Sequence, residues 1–206
     1  CYIGTTTTTA NLANSIGTYG GSQDGLVVKL NTNLNTLIWA RYVGGSGRDA
    51  IYSLKVIDSN KVLIGGGTTS YTDFPTTNGS YQEVSIQNTS STSRQADGFI
   101  SLISADGSTI EKSTYISTPN YDQVYFVEFD RFNNVYGYGQ TEAGLLFPRL
   151  RAPVANPGAG QFIVKLDRNL DSLEFLAQYD IPFIKIPSAM ITNEDLMFAA
   201  KRTGKK

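Results

Sequence analysis

Four aspartates stand at matching places in this chain. Asp24 and Asp97 are each followed by glycine and an apolar run, and Asp49 and Asp122 each open another apolar segment. Carboxylates gathered at strand ends could ring a calcium ion or share acid–base work. Calcium loops, however, set oxygen-bearing side chains at alternating positions before a glycine, and no D-x-D-x-D-G run is present. The reading adopted is that each aspartate caps a turn by accepting backbone N–H bonds. The GGSG stretch at 44–47 lacks the lysine and following helix of a phosphate-binding loop, so it reads as a tight turn between repeats. The sequence has no histidine and one cysteine, Cys1. This removes Ser-His and Cys-His nucleophiles and zinc sites built on histidine or clustered cysteine. Carboxylate-only and Ser-Lys chemistry stay open. No catalytic, cofactor-binding or metal-binding residue is assigned, and no cofactor is expected.

Other side chains invite a binding reading. Asp73-Phe74-Pro75 could be an exposed recognition tip, but a repeat-borne Phe-Pro reads better as packing against the next repeat unit. Trp39 could stack on a sugar, with packing between units as the default. The stretch 145–151 is apolar and basic together, and Leu145, Leu146, Phe147, Arg149 and Arg151 form the candidate partner-binding surface. Cys1 has two readings: the lipidated first residue of a mature bacterial lipoprotein, or an ordinary strand residue.

These residues are positioned by repetition. Four kinds of short apolar segment recur in order: IYSLKVI at 51–57 and VYFVEF at 124–129; VLIGGGTT from Val62 and VYGYGQTE from Val135; LVVKL from Leu26, FISLI from Phe99 and FIVKL from Phe162; LIWARY from Leu37, IEKSTY from Ile110 and LEFLAQY from Leu173. The pairs Asp24–Asp97, Tyr42–Tyr115, Asp49–Asp122 and Val62–Val135 share an offset of 73, and the next offset shortens to 62 or 63. Each segment has strand length and is bounded by Gly, Asn, Asp or Ser. Tyr52, Leu54 and Val56 alternate with Ser53 and Lys55, a period of two. SADGS at 104–108 and NTN at 31–33 carry hairpin-turn chemistry.

Four antiparallel strands repeated radially describe a β-propeller blade. The expected fold is all-β: a β-propeller arc of four-stranded antiparallel blades, with two complete blades and a partial blade at each end. The divisions are 1–45 (partial, lacking the first strand), 46–118, 119–181 and 182–206 (partial, first and second strands only). IKIPSAMI from Ile184 and LMFAAKRT from Leu196 supply that last pair. The unmatched ends imply an arc of a longer chain, completed by further blades or another chain. The connections between second and third strands are long, at 6–23, 70–96 and 142–160. They are expected to project from one side of the arc as the working face.

The segment GGSGRDAIYSLKVIDSNKVLIGGGTTSYTDFPTT, 44–77, resembles the bacterial β-propeller repeat called SBBP. The matching residues are Gly44, Gly45, Ser46, Asp49, Asp58, Asn60, Gly66, Thr68, Ser70, Asp73, Phe74, Pro75, Thr76 and Thr77, followed by DGFISLI. The later repeat departs from it at Gln140, Glu142 and 146–148. The resemblance implies a secreted or cell-surface protein, such as the large proteins of gliding Bacteroidetes, and it transfers no catalytic residues. A net charge of -1 gives no electrostatic footprint for nucleic acid, and no apolar run is long enough to span a membrane as a helix. The expected function is a non-enzymatic, secreted or surface scaffold for protein interaction. The alternatives are a carbohydrate-binding or hydrolytic propeller whose site lies on further blades, and a subunit of an outer-membrane secretion or gliding-motility complex.

Overall fold

The computed structural model describes residues 1–87, 95–144 and 159–170. It is all-β, with no α-helix among the described residues and one short 3-10 turn at Asp58–Asn60. The strands are β1 (Tyr2–Thr7), β2 (Ser15–Ile16), β3 (Asp24–Leu30), β4 (Leu37–Val43), β5 (Asp49–Val56), β6 (Val62–Thr68), β7 (Asp97–Ile103), β8 (Ile110–Ile116), β9 (Asp122–Phe129), β10 (Val135–Thr141) and β11 (Gln161–Leu166). They form three sheets, ordered β1-β3-β4-β2, β5-β6-β7-β8 and β11-β10-β9. Apart from β2, every neighbour is antiparallel.

The four kinds of segment thus become strands in chain order within each sheet. The second sheet holds all four, the first holds the second to fourth, and the third holds the first to third. The segment 173–179 and the partial repeat 182–206 lie outside the described residues. The predicted turns form as expected: the Gly107 N–H donates to the Ser104 carbonyl, and the Leu34 N–H to that of Asn31. Cys1 extends the ladder of β1, exchanging hydrogen bonds with Leu30 through its amino group and carbonyl.

The middle sheet is buried on both faces, which is why β6 and β7 read as continuous apolar runs rather than clean alternations. Val62, Ile64, Phe99 and Ile103 join Val27, Trp39 and Val43 of the first sheet in one core. Leu63, Ile100 and Leu102 face the other way and join Val124, Val127, Val135, Phe162 and Val164 in a second core. Two glycines set the spacing. A Cβ on Gly4 of β1 would lie 2.8 Å from the Ile51 side chain, and one on Gly65 of β6 would lie 2.5 Å from that of Val127. Gly4 and Gly65 are equivalent, and so are Leu54 and Val127, each of which lies over one of these glycines. The same seam is therefore built twice.

Two expectations need correction. In β5 the alternation does not separate core from solvent: Tyr52 and Val56 are exposed, while Ile51 is buried against the first sheet. The first two long connections do not simply project outward either. Each folds back along the outer edge of its sheet's fourth strand. In the first sheet this makes β2, parallel to β4. In the second, the Thr77 N–H donates to the Ser113 carbonyl and the Tyr115 N–H to the Gln82 carbonyl. The backbone groups of an edge strand need partners, and these connections supply them.

Candidate functional site

The four strand-leading aspartates are fully buried. Asp24 accepts from the Gly20 and Gly21 N–H groups at 3.0 and 3.2 Å. Asp49 accepts from the Gly45 N–H at 2.9 Å, from the Ser70 hydroxyl at 2.9 Å and from the Thr68 hydroxyl. Asp122 accepts from the N–H and hydroxyl of Thr118, both at 2.6 Å. Gly45 and Thr118 are equivalent, so the capping geometry repeats. The turn-capping reading describes these three. Asp97 differs: it accepts from side chains, the Ser85 hydroxyl at 2.5 Å and the Gln87 amide at 2.7 Å. Burial raises all four carboxyls above the ordinary range, and that of Asp97 is pushed up to about 6, with the Asp122 charge adding to the rise. Asp49 and Asp122 hold the turns that join one sheet to the next, through Gly45 and Thr118.

The two seams differ at the end where the short hairpin turns lie. In the first seam, the turn at 104–108 of the second sheet is latched to the first sheet. The Trp39 Nε1–H and the Lys29 ammonium donate to the Ala105 carbonyl, both at 3.3 Å, and Arg41 donates to the Gly107 carbonyl at 2.7 Å. Trp39 also meets Tyr2 edge-on, with ring centroids 6.1 Å apart. Its ring lies so close to Gly107 that a Cβ there would sit 2.6 Å from it. Gly107 also has a φ of +74°, which suits glycine on conformational grounds.

One repeat later the large residues are gone. Leu63 stands for Tyr2, Leu102 for Lys29, Lys112 for Trp39 and Thr114 for Arg41. The equivalent turn carries Leu170 in place of Gly107, with the same hydrogen bond, from the Leu170 N–H to the Asp167 carbonyl at 3.0 Å. A cavity of about 290 Å³ is left between the second and third sheets. Leu63, Leu102, Val135 and Leu170 are among its apolar walls, and Lys61, Glu111, Lys112 and Arg168 are among its polar lining. Lys61 and Glu111 pair at 2.6 Å. The Tyr81 N–H, from the connection folded along β8, reaches the Leu170 carbonyl at 2.6 Å.

The residues singled out in the sequence distribute unevenly around this geometry. Trp39 packs between sheets, as its default reading had it. Phe74 is buried, but against Phe99 and Tyr115 of its own sheet, at centroid distances of 4.5 and 5.7 Å, and in the core shared with the preceding sheet rather than the next. Leu145, Leu146, Phe147, Arg149 and Arg151 lie outside the described residues. The cavity-lining Lys61, Glu111, Lys112 and Arg168 went unnoticed in the sequence. Aligning Trp39 with Lys112 at the repeat offset was the signal that could have found them. No protein-family model matches the chain, and no curated protein matches it.

Proposed function

We propose that this chain is a non-catalytic interaction module built from β-propeller blades, and that it acts as a scaffold for a protein partner on a secreted or surface-displayed protein. The observation that carries the reading is the contrast between the two seams. The carboxylates that repeat accept hydrogen bonds within the fold, and the side chains that break the repeat gather around a cavity between the second and third sheets. Apolar walls with a few polar groups among them suit recognition.

Support for blades comes from how equivalent positions meet. Tyr52 and Tyr125, one repeat apart, meet at a tilt with ring centroids 5.8 Å apart, and Lys55 pairs with its equivalent, Glu128, at 2.8 Å. The first strands β5 and β9 therefore lie side by side, while the outer strands β4 and β8 share no comparable contact. Sheets that converge at one edge and splay at the other are what a radial arrangement requires. The resemblance to the SBBP repeat supports this reading, and with it a module displayed at the bacterial cell surface or held in an outer-membrane assembly.

The test is a paired assay on the intact chain: retention of peptides from a display library, and turnover of a panel of glycoside and ester substrates. Selective peptide retention without turnover is expected. Turnover that is lost in Asp49→Asn or Asp122→Asn, variants that remain folded by circular dichroism, would contradict the reading.

A further inference from the structure

We propose that a strip of tyrosines and glutamines, where β5 and β9 lie side by side, binds a neutral oligosaccharide. This goes beyond the interaction-module reading above and does not rest on it.

The backbone gives the first argument. Both first strands carry a bulge at the same place. The register of β5 on β6 passes from Ile51 to Ser53, and that of β9 on β10 from Val124 to Phe126, so Tyr52 and Tyr125 are the extra residues. A bulge turns a side chain out of the alternation of its strand. The two rings meet at a tilt with centroids 5.8 Å apart, and Tyr52 is 45% exposed. Tyr121, just before β9, brings its hydroxyl to 3.4 Å from that of Tyr125. Apolar ring faces with polar tips suit a sugar, whose C–H faces are apolar and whose rim is hydroxyl.

Hydrogen bonding gives the second argument. The Gln123 amide N–H donates to the Tyr52 hydroxyl, and the Tyr125 hydroxyl donates to the Gln140 amide oxygen, both at 3.1 Å. Among the described residues nothing bonds the second half of either amide. That leaves the Gln123 Oε1 to accept and the Gln140 Nε2 to donate. The Tyr52 hydroxyl accepts from Gln123 and keeps its own proton to give. Sugar hydroxyls both donate and accept. A proline-rich segment, which also docks on aromatic surfaces, has no proline N–H for Gln123. The Tyr121 phenol is raised by burial, then by its neighbours Tyr125, Tyr52 and Glu142, and the Glu142 carboxylate disfavours acidic sugars.

Comparison of the repeats gives the third argument. Tyr52 and Tyr125 repeat, as residues that serve the fold do. Tyr121, Gln123 and Gln140 do not: one repeat earlier their places are held by Arg48, Ala50 and Gly67, which offer neither ring nor amide.

The test follows tyrosine ring resonances of the intact chain by NMR during titration with cellohexaose, mannohexaose and maltohexaose. Hexagalacturonate and decaproline serve as controls. Saturable shifts at Tyr52, Tyr121 and Tyr125 are expected with at least one neutral hexaose, with at least tenfold weaker binding of both controls. Gln123→Ala and Gln140→Ala, outside the buried cores, should each weaken binding at least tenfold. Tyr52→Phe keeps the ring, removes the hydroxyl and should weaken binding about threefold; it stands if a glutamine variant fails to fold. The site is overturned if none of the three hexaoses shifts these tyrosines, if either control binds as tightly, or if the folded variants bind like the native chain. Each of those outcomes leaves the module reading standing. That reading falls on substrate turnover in the paired assay.

Discussion

Phe74 sits between Phe99 and Tyr115, almost fully excluded from water. Phe74→Ala removes a ring from a packed core and should lower stability by about 3–5 kcal/mol, read as a shift in the urea midpoint at unchanged slope. A loss under ~1 kcal/mol would mean the ring is not in the core. Asp97 makes a prediction of the opposite kind. Its carboxyl is pushed up to about 6 in the fold, from an ordinary value of 3.8, so the folded state holds the proton more tightly than the unfolded chain. The resulting stabilisation is fully present below pH 3.8 and is lost as pH rises through about 6. Asp24, Asp49 and Asp122 shift in the same direction. Stability should therefore fall between pH 4 and pH 7, with Asp97 contributing up to roughly 3 kcal/mol. Denaturant midpoints across that range check it, and Asp97→Asn should flatten much of the slope. A rise in stability over the same window would contradict the assignment.

At the scale of the strands, the seams depend on glycine where one sheet's first strand crosses the next sheet's second. Gly65→Ala places a methyl 2.5 Å from a Val127 methyl group, closer than atoms in a packed core allow. The expected destabilisation is about 1–3 kcal/mol. Gly79→Ala is a suitable contrast: its Cβ would meet nothing within 4 Å, and its only penalty is a φ of +77°. Thermal denaturation of both variants separates clash from backbone strain. The strands themselves were legible in the sequence because apolar runs of the right length recur between Gly, Asn and Asp, and a local pattern of that kind survives into the fold. The strips along β4 and β8 were not legible. Ser15, Ile16, Thr77 and Gln82 carry no alternation, and they are held by bonds to strands some 25 to 36 residues away in the chain. The partners of Phe74 were misassigned for the same reason: its burial follows from its type, but the sheet that buries it is a matter of tertiary packing. The cavity was hidden because it follows from the replacement of Tyr2, Lys29, Trp39 and Arg41 by Leu63, Leu102, Lys112 and Thr114, which shows only when the repeats are compared position by position.

At the scale of the molecule, the described residues build the same seam twice, and equivalent positions of the second and third sheets meet across it. The Lys55–Glu128 pair is exposed on both sides, so it adds well under 1 kcal/mol to stability, but it reports the stacking of the second sheet on the third. Lys61–Glu111, within the second sheet, is its internal control. The direct measurement is zero-length carbodiimide cross-linking of the native chain, followed by peptide mass spectrometry. The account predicts an amide between Lys55 and Glu128 alongside the one between Lys61 and Glu111, with the first lost and the second kept after Gly65→Trp wedges the seam apart. Recovery of Lys61–Glu111 with no Lys55–Glu128 product in the native chain would contradict it.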